Sequence, residues 1–149
     1  MKSSVLFINL KFTVMKKFLL MFLMLFTLSV GTASAQTYTY RSFQFSYKQL
    51  LDNGRWTNWS KWENSNLLIT IDYDNDVIRI YSQMPQKYVI VNHSDSYTDD
   101  SGGRQVRFNF IDQDGDKGTI RFRIERNGNS QLYIDFADIM WVYNVRKIE

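Results

Sequence analysis

The chain has no cysteine, one histidine and one proline in 149 residues. The first absence excludes disulfides, thiolate metal sites, a cysteine nucleophile and a lipid-modified N-terminal cysteine. The second leaves His93 as the only imidazole, beside Asn92, Ser94 and Asp95. No Ser-His-Asp elbow, zinc motif, Gly-rich phosphate loop or retained carboxylate pair accompanies it. A lone histidine in such polar company reads as surface. No stretch carries a convincing helical period either. The sequence therefore names no catalytic residue, no metal site and no cofactor, and it reads as a non-enzymatic protein.

What is present begins with an export signal. Lys16 and Lys17 precede a 13-residue apolar run, Phe18 to Val30, and Ala33-Ser34-Ala35 forms a small-residue cleavage site. Thirteen residues are too few to span a bilayer core of roughly 30 Å. The expectation is a signal peptide over residues 1–35 with translation starting at Met15, and cleavage that leaves no stable membrane anchor. The formal charge of +3 belongs to that segment. Residues 1–35 hold four lysines and no acid, so taking 4 from 18 leaves 14 basic against 15 acidic residues, a net of −1. The case for a nucleic-acid partner leaves with the signal. Removing 35 of 149 residues leaves 114, residues 36–149, a single domain large enough to bury a core without staples. A periplasmic or secreted location follows. An exported, cysteine-free domain suits a bacterial periplasm or medium better than a eukaryotic secretory route, and there the sequons at Asn58 and Asn92 carry little weight.

Period-two alternation fills the remainder. Val106, Phe108 and Phe110 alternate with polar residues, as do Ile120, Phe122 and Ile124 after the Asp112-Gln-Asp-Gly-Asp116 turn. Further strands are expected over 38–47, 67–73, 77–82, 87–93, 131–136 and 139–145, with 56–63 either a strand or an extended loop. Face matching pairs Ile71 with Ile78 around a type I′ Asp74-Asn75 turn. It pairs Phe108 with Phe122, across a loop of three or five residues or a bulge, and Ile124 with Leu132 across Asn127-Gly128-Asn129. It also pairs Phe136 with Ile139. The expected fold is all-β: an antiparallel meander of about eight strands, closed into an up-and-down barrel that removes its own edges, with a two-layer sandwich as the alternative. Met140 and Val142 lie opposite Ile139, Trp141 and Tyr143, which implies burial of both faces of the last strand.

Three groups of residues invite a functional reading. Asp72/Asp74/Asp76 and Asp112/Asp114/Asp116 have the alternation of a calcium loop. The EF-hand pattern fails, because Lys117 and Arg123 stand where Gly and Glu are needed. Turn chemistry accounts for both clusters. A hydrolase would require carboxylates such as Asp72 and Asp112 to converge. Arg107, Arg121 and Arg123 share the outward face of the central hairpin, with Arg107 expected opposite Arg123, Arg121 opposite Asp135 and Arg123 opposite Tyr133. The third group is Trp56, Trp59 and Trp62, one Trp every third residue, which a strand would split between two faces. The spacing is that of a thrombospondin-type Trp ladder, but that family needs cysteines. Exposed tryptophans can stack on sugars or line a ligand mouth, so these three are the candidate ligand-binding residues.

The stretches Gly54-Arg-Trp56, Trp59-Ser-Lys-Trp62-Glu63, Leu68-Ile-Thr-Ile-Asp72, Ile78-Arg-Ile80-Tyr81, Phe110-Ile-Asp-Gln-Asp-Gly115 and Tyr133-Ile-x-Phe136 give the chain its character. In their order it resembles the small, exported, uncharacterised β-rich proteins of Bacteroidetes-type bacteria. That resemblance implies no activity and carries over no site residues. Any likeness to lipocalin- or avidin-type barrels is one of fold alone. The functional expectation is an exported barrel binding a small apolar or carbohydrate ligand. The alternative is a protein-interaction or inhibitor module using the polar loop Ser94–Gly103 and the Trp segment.

Overall fold

A computed structural model describes residues 36–148, so the expected signal segment lies outside the described residues. Ten strands form: β1 (Thr37–Gln49), β2 (Glu63–Asn64), β3 (Leu68–Asp72), β4 (Val77–Tyr81), β5 (Gln86–His93), β6 (Tyr97–Thr98), β7 (Arg104–Asp112), β8 (Lys117–Ile124), β9 (Ser130–Asp135) and β10 (Ile139–Lys147). Eight of them, β1-β3-β4-β5-β7-β8-β9-β10, make an antiparallel wall that closes when β10 pairs back onto β1. This is the expected up-and-down barrel, and the sandwich is excluded. The two-residue strands β2 and β6 add to the outer edges of β1 and β7.

Alternation decides which side chains go inside. Ile69, Ile71, Ile78, Ile80, Tyr88, Phe108, Phe110, Ile120, Leu132, Ile134 and Val145 are buried and form one cluster. The outer wall is largely polar. A side-chain ladder runs Tyr133–Gln131–Asn144–Gln44 at 2.8, 3.0 and 3.3 Å. An apolar interior with a polar exterior is the reverse of a lipid-facing barrel.

The hairpins test the registers. Ile71 does face Ile78, but the turn is not type I′. The ladder stops at Asp72↔Val77, and the only positive φ of the loop is at Asp76 (51°). Phe136 closes on Ile139 as expected, its N–H donating to the Ile139 carbonyl at 2.9 Å. The two central hairpins are shifted by two residues from expectation. Phe108 faces Ile120 rather than Phe122, and Ile124 faces Ser130 rather than Leu132. Their three-residue loops are Gln113-Asp114-Gly115 and Arg126-Asn127-Gly128, closed by Asp112 N–H to Asp116 O and Glu125 N–H to Asn129 O. Gly115 and Gly128 take φ of 91° and 84° at the last loop position, the left-handed conformation such loops require there.

The shift re-pairs the arginines. Arg107 faces Arg121, not Arg123. Arg121 faces Tyr133, its guanidinium 4.3 Å from that ring, and still reaches Asp135 diagonally. Arg123 faces Gln131 and pairs with Asp99 at 2.8 Å and Glu125 at 3.1 Å.

The Trp segment is a loop with a structural cause. The Ser60 N–H donates to the Tyr47 carbonyl, and the Tyr47 N–H donates to Ser60 Oγ. Thr57 makes the same exchange with Gln49. Hydroxyls thus replace part of the ladder at a three-residue spacing, the spacing of the tryptophans. Trp56 and Trp59 consequently lie on one side, not two, with Lys48 Nζ 5.1 Å from each ring. Across the outer wall, Ser46, Val142 and Tyr133 form one cross-strand row. The Ser46 hydroxyl donates to the Ser60 carbonyl at 2.8 Å and Trp59 meets Tyr133 edge-on. This cover explains why outward-facing Val142 is only 3% exposed.

Candidate ligand-binding mouth

The strand directions set the two ends of the barrel. One carries the starts of β1 and β7, the 73–76 turn and the Ser94–Gly103 loop. The other carries the 82–85 connection, the 113–115 turn and the 136–138 turn. Asp72 and Asp112 fall at opposite ends, so they cannot share a cleft. Each instead serves its own turn. Asp72 accepts from the Asn75 N–H at 3.1 Å and from its side-chain amide at 2.9 Å. Asp112 Oδ1 accepts from the Asp114 and Asp116 N–H groups, each at 2.9 Å. Hydrogen bonds from Asn75, chiefly its side chain, hold the Asp72 carboxyl below the usual carboxylate range.

The barrel's middle is filled, and both ends open into cavities. The cavity at the first end has a volume of about 340 Å³. Ile71, Val106 and Phe122 form its floor, and Tyr38, Tyr40, Tyr73 and Arg104 are among the residues of its wall and rim. It falls at the lower edge of the size range of small-molecule sites and has their mix of apolar lining and a few polar groups. The cavity at the other end, about 230 Å³, is lined by Met84, Pro85, Tyr88, Phe136 and Trp141 with Asp112 and Asp114.

The tyrosines of the first mouth form a group. Tyr38 and Tyr73 meet edge-on at 5.7 Å, and Tyr40 packs on Phe122 at 4.9 Å. Burial, and then the neighbouring Tyr73 and Tyr38, push the Tyr40 phenol up to about 12. Burial followed by Tyr38 raises Tyr73 as well. Both therefore stay protonated at neutral pH and present O–H donors. Arg104 occupies the inward-facing position of β7 two residues before Val106, opposite Ile124. Its guanidinium donates to Ser96 Oγ at 3.3 Å.

The candidate tryptophans lie elsewhere. Trp56, Trp59 and Trp62 line neither end cavity. Trp56 and Trp59 clasp Lys48 on the outer wall, while Trp62 is 46% exposed. His93 is exposed, with its ring 6.2 Å from Phe108. The polar loop Ser94–Gly103 contributes Ser96 to the mouth and is pinned by Asp99, which accepts from Ser101, Gly103 and Arg123. The mouth residues Tyr38, Tyr40, Tyr73 and Arg104 escaped the sequence reading. One signal pointed to Arg104: carrying the Val106/Phe108/Phe110 alternation back two residues puts an arginine on the apolar face. Comparison with protein-family models, curated proteins and solved structures finds no match to this chain.

Proposed function

We propose that this protein is an exported, non-enzymatic β-barrel that holds a small apolar or carbohydrate ligand in the mouth between Tyr38, Tyr73 and Arg104. The observation that carries this reading is the cavity of about 340 Å³ over an apolar floor, with tyrosine rings at its wall. Its volume accommodates roughly ten groups the size of a water molecule, at ~30 Å³ each. Tyrosine faces can stack on a sugar ring or an alkyl chain, and their hydroxyls can bond a ligand's polar edge. The export signal expected over residues 1–35 is consistent with a barrel wall that residues 36–148 complete by themselves. The test is a titration of the isotope-labelled protein with octanol and with methyl glycosides, followed by amide NMR. Binding shifts the amides of Tyr38, Tyr73, Val106 and Ile124. A panel that leaves all four unmoved overturns the proposal.

A second reading, a protein-interaction module, is favoured by one observation. Leu51, Trp59 and Trp62 are 47%, 40% and 46% exposed on the connection between β1 and β3. Enriched aromatic anchors of that kind are what a partner's pocket takes.

A further inference from the structure

Arg104 has an unusual position for an arginine. It stands on the inward face of β7, in line with Val106, Phe108 and Phe110, three residues of the core cluster or packed on it. Three arginines of this wall have acidic partners: Arg121 has Asp135, Arg123 has Asp99 and Glu125, and Arg79 has Asp72. Arg104 has no carboxylate within ion-pair distance among the described residues, only the Ser96 hydroxyl. Two acids at the same end of the barrel are engaged elsewhere. Asp74 accepts the Gln36 N–H at 2.9 Å, and Asp99 accepts from Ser101, Gly103 and Arg123. A second cation adjoins the rim, since Lys147 Nζ lies 4.8 Å from the Tyr38 ring. The mouth thus joins an apolar floor, protonated phenols and an unpaired guanidinium fork.

We infer that the ligand of this mouth is a small amphipathic carboxylate, its apolar body on Ile71, Val106 and Phe122 and its carboxylate on Arg104. This inference rests on the ligand-mouth reading above and narrows it. A guanidinium binds a carboxylate through two parallel N–H···O bonds. A tyrosine hydroxyl can donate a further bond to the same group. A neutral sugar or alcohol leaves the arginine without a counter-charge and gains only the apolar and stacking contacts.

The experiment compares octanoate with octanol, two probes of about ten heavy atoms, by calorimetric titration of the protein, its Arg104→Met and Arg104→Lys variants, and Val106→Trp, which fills the mouth. Octanoate should bind about ten- to a hundredfold more tightly than octanol, the worth of a hydrogen-bonded charge. Arg104→Met should abolish that preference, and Arg104→Lys should restore part of it. Val106→Trp should remove both. Equal affinity for the two probes, with both lost in Val106→Trp, overturns the carboxylate inference and leaves the ligand mouth standing. Failure of both probes to bind, together with mouth amides that neither they nor the methyl glycosides move, overturns both. Melting curves of the Arg104 variants that match the parent protein exclude a folding defect, since the side chain is exposed and outside the packed cluster.

Discussion

Replacing Gly118 by alanine separates two effects of opposite sign. Glycine inside a strand loses more backbone entropy on folding than any other residue, so propensity alone predicts that Gly118→Ala stabilises by about 0.5–1 kcal/mol. The structure predicts the reverse. Gly118 faces Phe110 across the β7–β8 ladder. A methyl group there would lie 2.5 Å from Phe110 Cζ and 2.6 Å from the Asp135 carbonyl oxygen. The ring cannot easily retreat, because Tyr88 and Phe136 meet it edge-on at 4.7 and 5.2 Å. The carbonyl belongs to the β9 backbone and has no rotamer to adopt. Overpacking of this kind costs about 1–3 kcal/mol. Taking the middle of that range, about 2 kcal/mol, and setting the entropic gain of about 0.5–1 kcal/mol against it leaves an expected net loss of about 1–1.5 kcal/mol, or roughly 4–6 °C of melting temperature for a domain of this size. Urea denaturation followed by tryptophan fluorescence measures it. Phe110→Leu should relieve the ring contact but not the carbonyl, so the double variant should be less destabilised than the two singles added, by about 1 kcal/mol. A Gly118→Ala protein as stable as its parent, or strict additivity with Phe110→Leu, would refute the account of why this strand carries a glycine.

Three further outcomes are expected. Trp59→Ala should cost about 1–2 kcal/mol, from the edge contact with Tyr133 and the Lys48 contact. Trp62→Ala, whose ring has no aromatic or cationic partner among the described residues, should stay within about 0.5 kcal/mol in the same denaturation assay. Arg107→Glu turns the Arg107/Arg121 cross-strand pair from like to opposite charge. It should stabilise by about 0.5 kcal/mol, and the gain should disappear near 1 M salt, where the screening length is about 3 Å. Hydrogen bonds from Ser101 and Arg123 depress the Asp99 carboxyl far below its ordinary value. A depressed carboxylate contributes stability above its unfolded pKa, near 4, and loses it as pH falls through the folded one. Amide-exchange protection of residues 99–103 should therefore be full at pH 5–7 and fall only in strong acid, whereas Asp99→Asn should lower it at every pH.

The fold was legible because period two was legible. Once every strand had an apolar face, a meander of that length had to close or stack. Register was only half legible. Matching apolar faces fixes whether two residues point the same way, but a slip of two preserves the match. The expected Phe108–Phe122 and Ile124–Leu132 pairs failed in that manner. What decides between slips is turn geometry. A three-residue hairpin loop wants its left-handed residue last, and placing Gly115 and Gly128 there gives the observed ladders directly. The Asp74-Asn75 turn misled for a related reason. Both residues tolerate positive φ, yet the ladder ends at Asp72↔Val77 and the strain falls on Asp76. The Trp segment was opaque to period analysis because side-chain hydroxyls replace part of the ladder that holds it.

The same contrast bears on where a function should be sought. Trp56, Trp59 and Trp62 stand out by composition, since exposed tryptophans are uncommon. The geometry gives two of them a structural account. β1 pairs with β3 only up to Arg41, and past the irregularity between Ser42 and Gln44 its outer side is left to the returning segment. That segment must cover the Ser46–Val142–Tyr133 row, and a large flat ring at Trp59 does so. An aromatic residue on a barrel wall thus needs no ligand to explain it. Arg104, exposed at the mouth in the inward-facing register of β7, has only the Ser96 hydroxyl as a side-chain hydrogen-bond partner among the described residues. At Arg104 the chain departs from its own alternation, and departures of that kind without a structural compensation are where a binding partner should be looked for.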